Sequence, residues 1–192
     1  MVETTEAFVE GCDLETTSAY AIKAEIADWS QQVLEVACDA YSGLPPCPFA
    51  RGAWIDGKVS VEVTDTIDEV LCAADEFMPD DEMVLVYALL DSGGLTVEQF
   101  NDCLADFNAM HRGVWLMGSH HEAPDDELMP EFEASTGVDY GLILVQSLEH
   151  LVVASDKLRD SGYYDAYEDA DMEYIDLRKE QHNAWNEEEH EV

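Results

Sequence analysis

Two short stretches of the chain combine residue types that could do chemistry. Ser119-His120-His121-Glu122 places a hydroxyl, two imidazoles and a carboxylate in four consecutive positions. Imidazoles act as general bases and metal ligands near neutral pH. Adjacent histidines on extended backbone point to opposite sides, so only one of this pair can easily face a given pocket. As metal ligands, His121 and Glu122 need further help, which Asp125, Asp126 or Glu127 could give, and such a set suits a divalent ion. The plainer alternative is a polar strand end running into a surface loop.

The second stretch is Pro46-Cys47-Pro48-Phe49-Ala50-Arg51. A cysteine between two prolines is rigidly presented. A guanidinium nearby, here Arg51, lowers a thiol's pKa and favours the nucleophilic thiolate. Paired with His120 or His121, Cys47 would complete a nucleophile–base arrangement. Against this stands simple packing, with Cys47 and Phe49 under a sheet edge and Arg51 neutralising a carboxylate. The chain has no glycine-rich phosphate loop, no nucleophile elbow, no zinc-finger spacing and no EF-hand ladder.

These groups need a frame, and apolar periodicity predicts one. Ile22, Ile26, Trp29, Val33, Val36 and Ala40 recur every three or four residues, predicting a helix from Thr17 or Ser18 to Gly43. Alternating Val59, Val61 and Val63 predict a strand. Thr66-x-x-Glu69 and Thr96-x-x-Gln99 read as capping boxes opening two helices. Met83 to Leu90 is continuously apolar, as in a strand buried on both faces. Gly113–Gly118 and Tyr140–Gln146 predict two more strands, and Ser147 caps a helix that Gly162 follows. Ser92-Gly93-Gly94 reads as a loop. A helix over 163–181 is expected to use Tyr167, Met172, Ile175 and Leu177.

The expected architecture is therefore a single small α/β domain over 18–162. It has about four mainly parallel strands with flanking helices, and the fourth strand is free to pair either way. Residues 1–17 form an acidic N-terminal extension, and 163–192 an acidic helix and tail. Polar groups at the carboxyl ends of strands are where open α/β sheets gather ligands, which is why Ser119–Glu122 stands out.

Charge limits the partners. The chain has 192 residues, 44 Asp and Glu against 8 Lys and Arg, and a formal charge of −36. Phosphate binding needs cations, so direct nucleic-acid binding is not expected, nor binding to anionic membranes. Basic proteins and metal ions are attracted. The acidity reads as solvation or as imitation of the DNA backbone. Only four arginines are present, fewer than halophilic surfaces often keep. Five cysteines without a C-x-x-C pair, an acidic start without an apolar leader and no run of about 20 apolar residues predict a reducing cytoplasm.

Trp29, Cys47-Pro48-Phe49-Ala50, Phe100-Asn101-Asp102 and Ser119-His120 together resemble a family of uncharacterised bacterial proteins. That family carries a Cys-Pro-Phe-Ala motif and a later Ser-Phe-His-Pro motif. Here the second motif reads Ser119-His120-His121-Glu122, without the proline. The resemblance, over about Asp28 to Arg159, implies an α/β fold and a shared site at Cys47 and His120 or His121. It implies no reaction.

Two functions follow as expectations. One is a small cytoplasmic α/β enzyme or ligand-binding protein using Cys47, Arg51, His120 and His121, with a small-molecule ligand and an acidic solvating surface. The other is an acidic interaction protein of phage or mobile-element type, inhibiting a basic or DNA-binding protein by mimicry. A cation-binding or assembly role for the acidic loop after Glu122 ranks behind both.

Overall fold

The computed structural model describes residues 13–78, 83–124 and 131–190. The four apolar runs become strands β1 (Val59–Thr64), β2 (Val84–Leu90), β3 (Val114–Ser119) and β4 (Tyr140–Ser147). They form one sheet in the order β1-β2-β4-β3. β1 and β2 pair in parallel, whereas β4 runs antiparallel to both β2 and β3. Three strands thus share one direction, and β4 is wedged between two of them against it. The helix between β1 and β2 returns the chain for parallel pairing. Between β3 and β4 no helix occurs among the described residues.

Side-chain alternation gives the sheet two faces. Leu89, Leu116, Ile143 and Val145 meet Val70 and Ala74 of helix α3 (Ile67–Asp75) and Phe100, Leu104 and Phe107 of helix α4 (Val97–Met110). On the other face, Val86 and Ala88 pack against Ile22 and Ile26 of helix α1 (Asp13–Trp29). Trp115, on the same side of β3, packs against Leu148 and Val152 of helix α5 (Leu148–Arg159) and Trp185 of helix α6 (Asp169–His190). The result is the expected small α/β domain with helices on both faces. No helix among the described residues is long and apolar enough to cross a membrane.

Several local expectations change. The first helix does not run to Gly43. Its α-helical part stops at Trp29 and widens into a π-helical turn at Ser30–Leu34. Ser30 is buried there; its hydroxyl accepts from Trp54 Nε1 at 2.8 Å and donates to Glu35 at 3.2 Å. Val36 is left exposed rather than inward. A short helix α2 (Ala50–Ile55), which no periodicity signalled, follows the prolines. Thr66 caps α3 without a side-chain bond, and Glu69 accepts from Thr64 Oγ1 at 2.5 Å instead. The second capping box forms as expected, with Thr96 and Gln99 bonding each other's backbone. Pro79, a residue type that cannot continue a helix, follows α3 in the sequence but lies outside the described residues.

Helix α6 docks on the domain through α5. Ile175 and Arg178 of α6 are buried against α5, where Arg178 donates to Ser155 Oγ at 3.3 Å. Tyr163, Tyr164 and Tyr167 pack with Tyr41 in one aromatic cluster, as packing and not as an open stacking platform. The edge strand β3 is guarded by Asn108 on α4. Its buried amide donates to Leu116 O at 2.9 Å and accepts from Leu116 N–H at 2.8 Å, satisfying the outward backbone of an edge.

Candidate functional site

β1, β2 and β3 point the same way, so their carboxyl ends lie on one edge of the sheet. β2 ends in an unusual turn there. Asp91, Ser92, Gly93 and Gly94 all have positive φ, at 48°, 44°, 67° and 67°. Glycine adopts this region freely; for Asp and Ser it costs roughly 1–2 kcal/mol each. Such local strain persists only where surrounding structure over-determines it, and it concentrates at functional sites. The turn is pinned by the Asp91 N–H, which donates to Asp139 O at 2.9 Å. It drives Ser92 fully inside, while the Asp91 carboxylate stays in solvent.

Ser92 then meets the residues that follow β3. Its Oγ lies 2.8 Å from His121 Nδ1 and accepts the His121 backbone N–H at 3.3 Å. A Cβ on Gly141 would sit 2.7 Å from that same Oγ, so only glycine lets β4 pass beneath the serine. One ring nitrogen of His121 is thereby held. The other, Nε2, faces Asp91 Oδ1 at 3.9 Å, and the His121 side chain keeps 17% of its surface exposed.

His120 has a different role from its neighbour. The expectation that the two rings diverge fails because the chain turns after Ser119; the rings stack at 4.5 Å and 22°. His120 is buried, and its Nδ1 accepts the Glu122 N–H at 3.0 Å. That fixes the proton on Nε2, which donates to Leu95 O at 2.9 Å. Phe100 meets the ring edge-on. With neither nitrogen free, His120 is a satisfied interior histidine that braces the turn. A Glu122 carboxylate oxygen lies within 4.8 Å of the nearest ligand atoms of both histidines. Asp125, Asp126 and Glu127, expected as further ligands, lie outside the described residues.

Cys47 and Arg51 belong to another part of the fold. Cys47 precedes α2, its N–H donating to Leu34 O at 3.0 Å. Burial pushes its thiol up, and the Glu35 carboxylate adds to this, outweighing the N–H groups of Phe49 and Ala50 that favour thiolate. The expected lowering by Arg51 is therefore corrected: the guanidinium is exposed on α2, lining an open cleft with Gln31, Glu35, Trp54 and Ile55. Among the described contacts none joins Cys47 to His120 or His121. In the native protein, Ellman's reagent is expected to label exposed Cys72 roughly ten-fold or more faster than Cys47. Peptide mapping after partial labelling checks this, and Cys47 labelling first would restore the nucleophile.

No family model, curated protein or solved structure matches this chain. The site must be read from its own geometry. Of the expected residues, the fold brings His120, His121 and Glu122 together and leaves Cys47 and Arg51 apart. It adds Asp91 and Ser92. Their signal was present, since Asp-Ser-Gly-Gly follows a buried strand at its carboxyl end, but a serine before two glycines reads as a plain loop. The arrangement is a partly exposed imidazole with one nitrogen anchored and the other open beside carboxylates. That group can take up or deliver a proton, or hold a cation.

Proposed function

We propose that this chain is a small α/β enzyme or ligand-binding protein that works at the carboxyl edge of its sheet, with His121 as the working group. The observation that carries this is the anchoring of His121 by Ser92, a fully buried serine in strained left-handed backbone. A plain surface loop has no use for such a device. It orients one imidazole nitrogen outward, as proton-transfer sites require. Ser92 is a positioning residue, because its hydroxyl is out of reach of any substrate. The Asp91 carboxylate lies 3.9 Å from the outward nitrogen, Nε2. The −36 charge then serves solubility and raises the local concentration of cations.

The test is a small-molecule screen on chelator-treated, isotope-labelled protein, read by amide NMR. Binders are expected to shift Asp91–Gly94 and Ser119–Ala123, and those shifts are expected to vanish in His121→Gln. Binders confined to the cleft around Arg51 and Trp54 would overturn the reading. So would a stoichiometric basic protein captured from host lysate and released by duplex DNA or moderate salt, which would favour mimicry instead.

A further inference from the structure

We infer that the cavity on the α1 face of β4 binds a trimethylammonium group, as carried by a choline-like small molecule or by a trimethylated lysine. This site stands apart from His121 and does not rest on the reading of it.

Three aromatic residues meet at the cavity. It encloses about 180 Å³ between Ile26 and Trp29 of α1, Phe132 and Ala134 of the segment before β4, and Tyr140 and Leu142 of β4. Tyr140 and Leu142 belong to the sheet face that Ile22 and Ile26 cover. Among the described residues, none of the rings of Trp29, Phe132 and Tyr140 stacks on another ring, so their π surfaces are not spent on one another. An apolar cavity of about 150 Å³ admits benzene, and a trimethylammonium group is no larger. Aromatic rings grouped around a small void attract cations through their quadrupoles, tryptophan most strongly.

A buried negative charge stands directly behind this wall. Glu25 precedes Ile26 on α1, and its carboxylate accepts the Tyr140 hydroxyl at 2.7 Å. Its other donors are the N–H and hydroxyl groups of Ser135 and Thr136, which follow Ala134. All five donors are neutral. They hold the carboxylate ionised but leave its charge uncompensated, and a buried charge ordinarily calls for a counter-charge. The accepting oxygens are already engaged, so the cation that fits is one that needs the charge and not a hydrogen bond.

That condition selects the ligand. A trimethylammonium group spreads its charge over methyl groups and donates no hydrogen bond. A primary ammonium brings three N–H groups, yet the one side-chain acceptor in the described lining is the Tyr140 hydroxyl oxygen, bound to Glu25. Its remaining N–H groups would be stranded. An anion would meet no Lys or Arg among the described lining residues, only the field of Glu25.

The test titrates the isotope-labelled full chain with choline, with its uncharged carbon isostere (a tert-butyl group in place of trimethylammonium) and with ethanolamine. High salt screens the diffuse acidic surface. Amide and indole NMR signals are read. Choline is expected to saturate one site, with shifts centred on Ile26, Trp29, Ala134 and Tyr140. The isostere and ethanolamine are each expected to bind about ten-fold or more weaker, the scale of a desolvated cation–π contact. Trp29→Leu should weaken choline by a similar factor. If that variant fails to fold, the comparison of the three compounds on the parent chain decides alone. An isostere that binds as well as choline would make the cavity merely apolar, and ethanolamine binding as well would reduce the effect to surface charge. Either result overturns the proposal, as does the absence of saturable shifts at the cavity. A short peptide carrying trimethyl-lysine names the source: binding ten-fold tighter than choline upholds the site as a reader of a modified protein, and binding no tighter upholds it as a small-molecule site.

Discussion

Glu25→Ala is expected to lower the unfolding free energy by about 2–4 kcal/mol, because it strands several hydrogen-bond donors at once. Glu25 is buried on α1 and pairs with no cation among the described residues. Its carboxylate instead accepts the backbone N–H groups of Ser135 and Thr136, both of their hydroxyls, and the Tyr140 hydroxyl at 2.7 Å. One side chain thus clamps the loop that enters β4. The same loop supplies Asp139 O, which holds the Asp91 N–H, so the clamp also steadies the edge where His121 sits.

The clamp has a pH signature. Burial alone would push the Glu25 carboxyl up, but the bonds from Tyr140, Thr136 and Ser135 prevail and hold it below the ordinary carboxylate range. A carboxyl lower in the folded than in the unfolded state contributes stability above its unfolded value of about 4.3. That contribution is lost as pH falls through the folded value. Urea unfolding of the parent and Glu25→Ala across the acid range checks both points. The gap between them should be full at neutral pH and shrink toward acid. Equal stabilities at neutral pH, or a gap that grows toward acid, would refute the clamp.

Gly118→Ala is expected to cost about 2–3 kcal/mol, the range of overpacking where the neighbour cannot move. A Cβ there would lie 2.6 Å from Leu142 O, a backbone atom of the paired strand, and 3.0 Å from Leu104 Cδ1. The leucine tip can shift; the carbonyl is fixed by the β3–β4 ladder. Relief requires β3 to move off β4 just before Ser119, His120 and His121. Thermal unfolding should show the loss, and the His121 ring signals should shift with it. A variant within about 0.5 kcal/mol of the parent would mean the edge strand gives way freely, contrary to this packing.

Much of this was legible in the chain. Val59, Val61 and Val63 alternate because β1 has one face on α1, and Met83–Leu90 is unbroken because β2 is covered on both sides. Thr96 and Gln99 signal their helix start through bonds that need only local geometry. The first helix misled, because Val36 and Ala40 keep the period after a buried Ser30, bonded to a distant Trp54, has already widened the turn. Thr66-x-x-Glu69 misled because Thr64, two residues earlier, takes the glutamate. At the site, the histidine pair and Glu122 were visible as a run of polar groups at a strand end. Asp91 and Ser92 were not, because their value lies in a left-handed turn 29 residues away along the chain from His121.

The sequence by itself determined the four strands, the helices that cover them, the acidic exterior and the stretch from Ser119 to Glu122. These follow from short-range periodicity and composition, which are written in neighbouring residues. The tertiary structure decided that β4 inserts antiparallel between β2 and β3, that His120 is braced while His121 is open, and that desolvation pushes the Cys47 thiol up. Each of those outcomes turns on which distant group arrives at hydrogen-bonding distance or withdraws water. That depends on strand order and close approach, as at Gly118 and Gly141, and no local pattern encodes it.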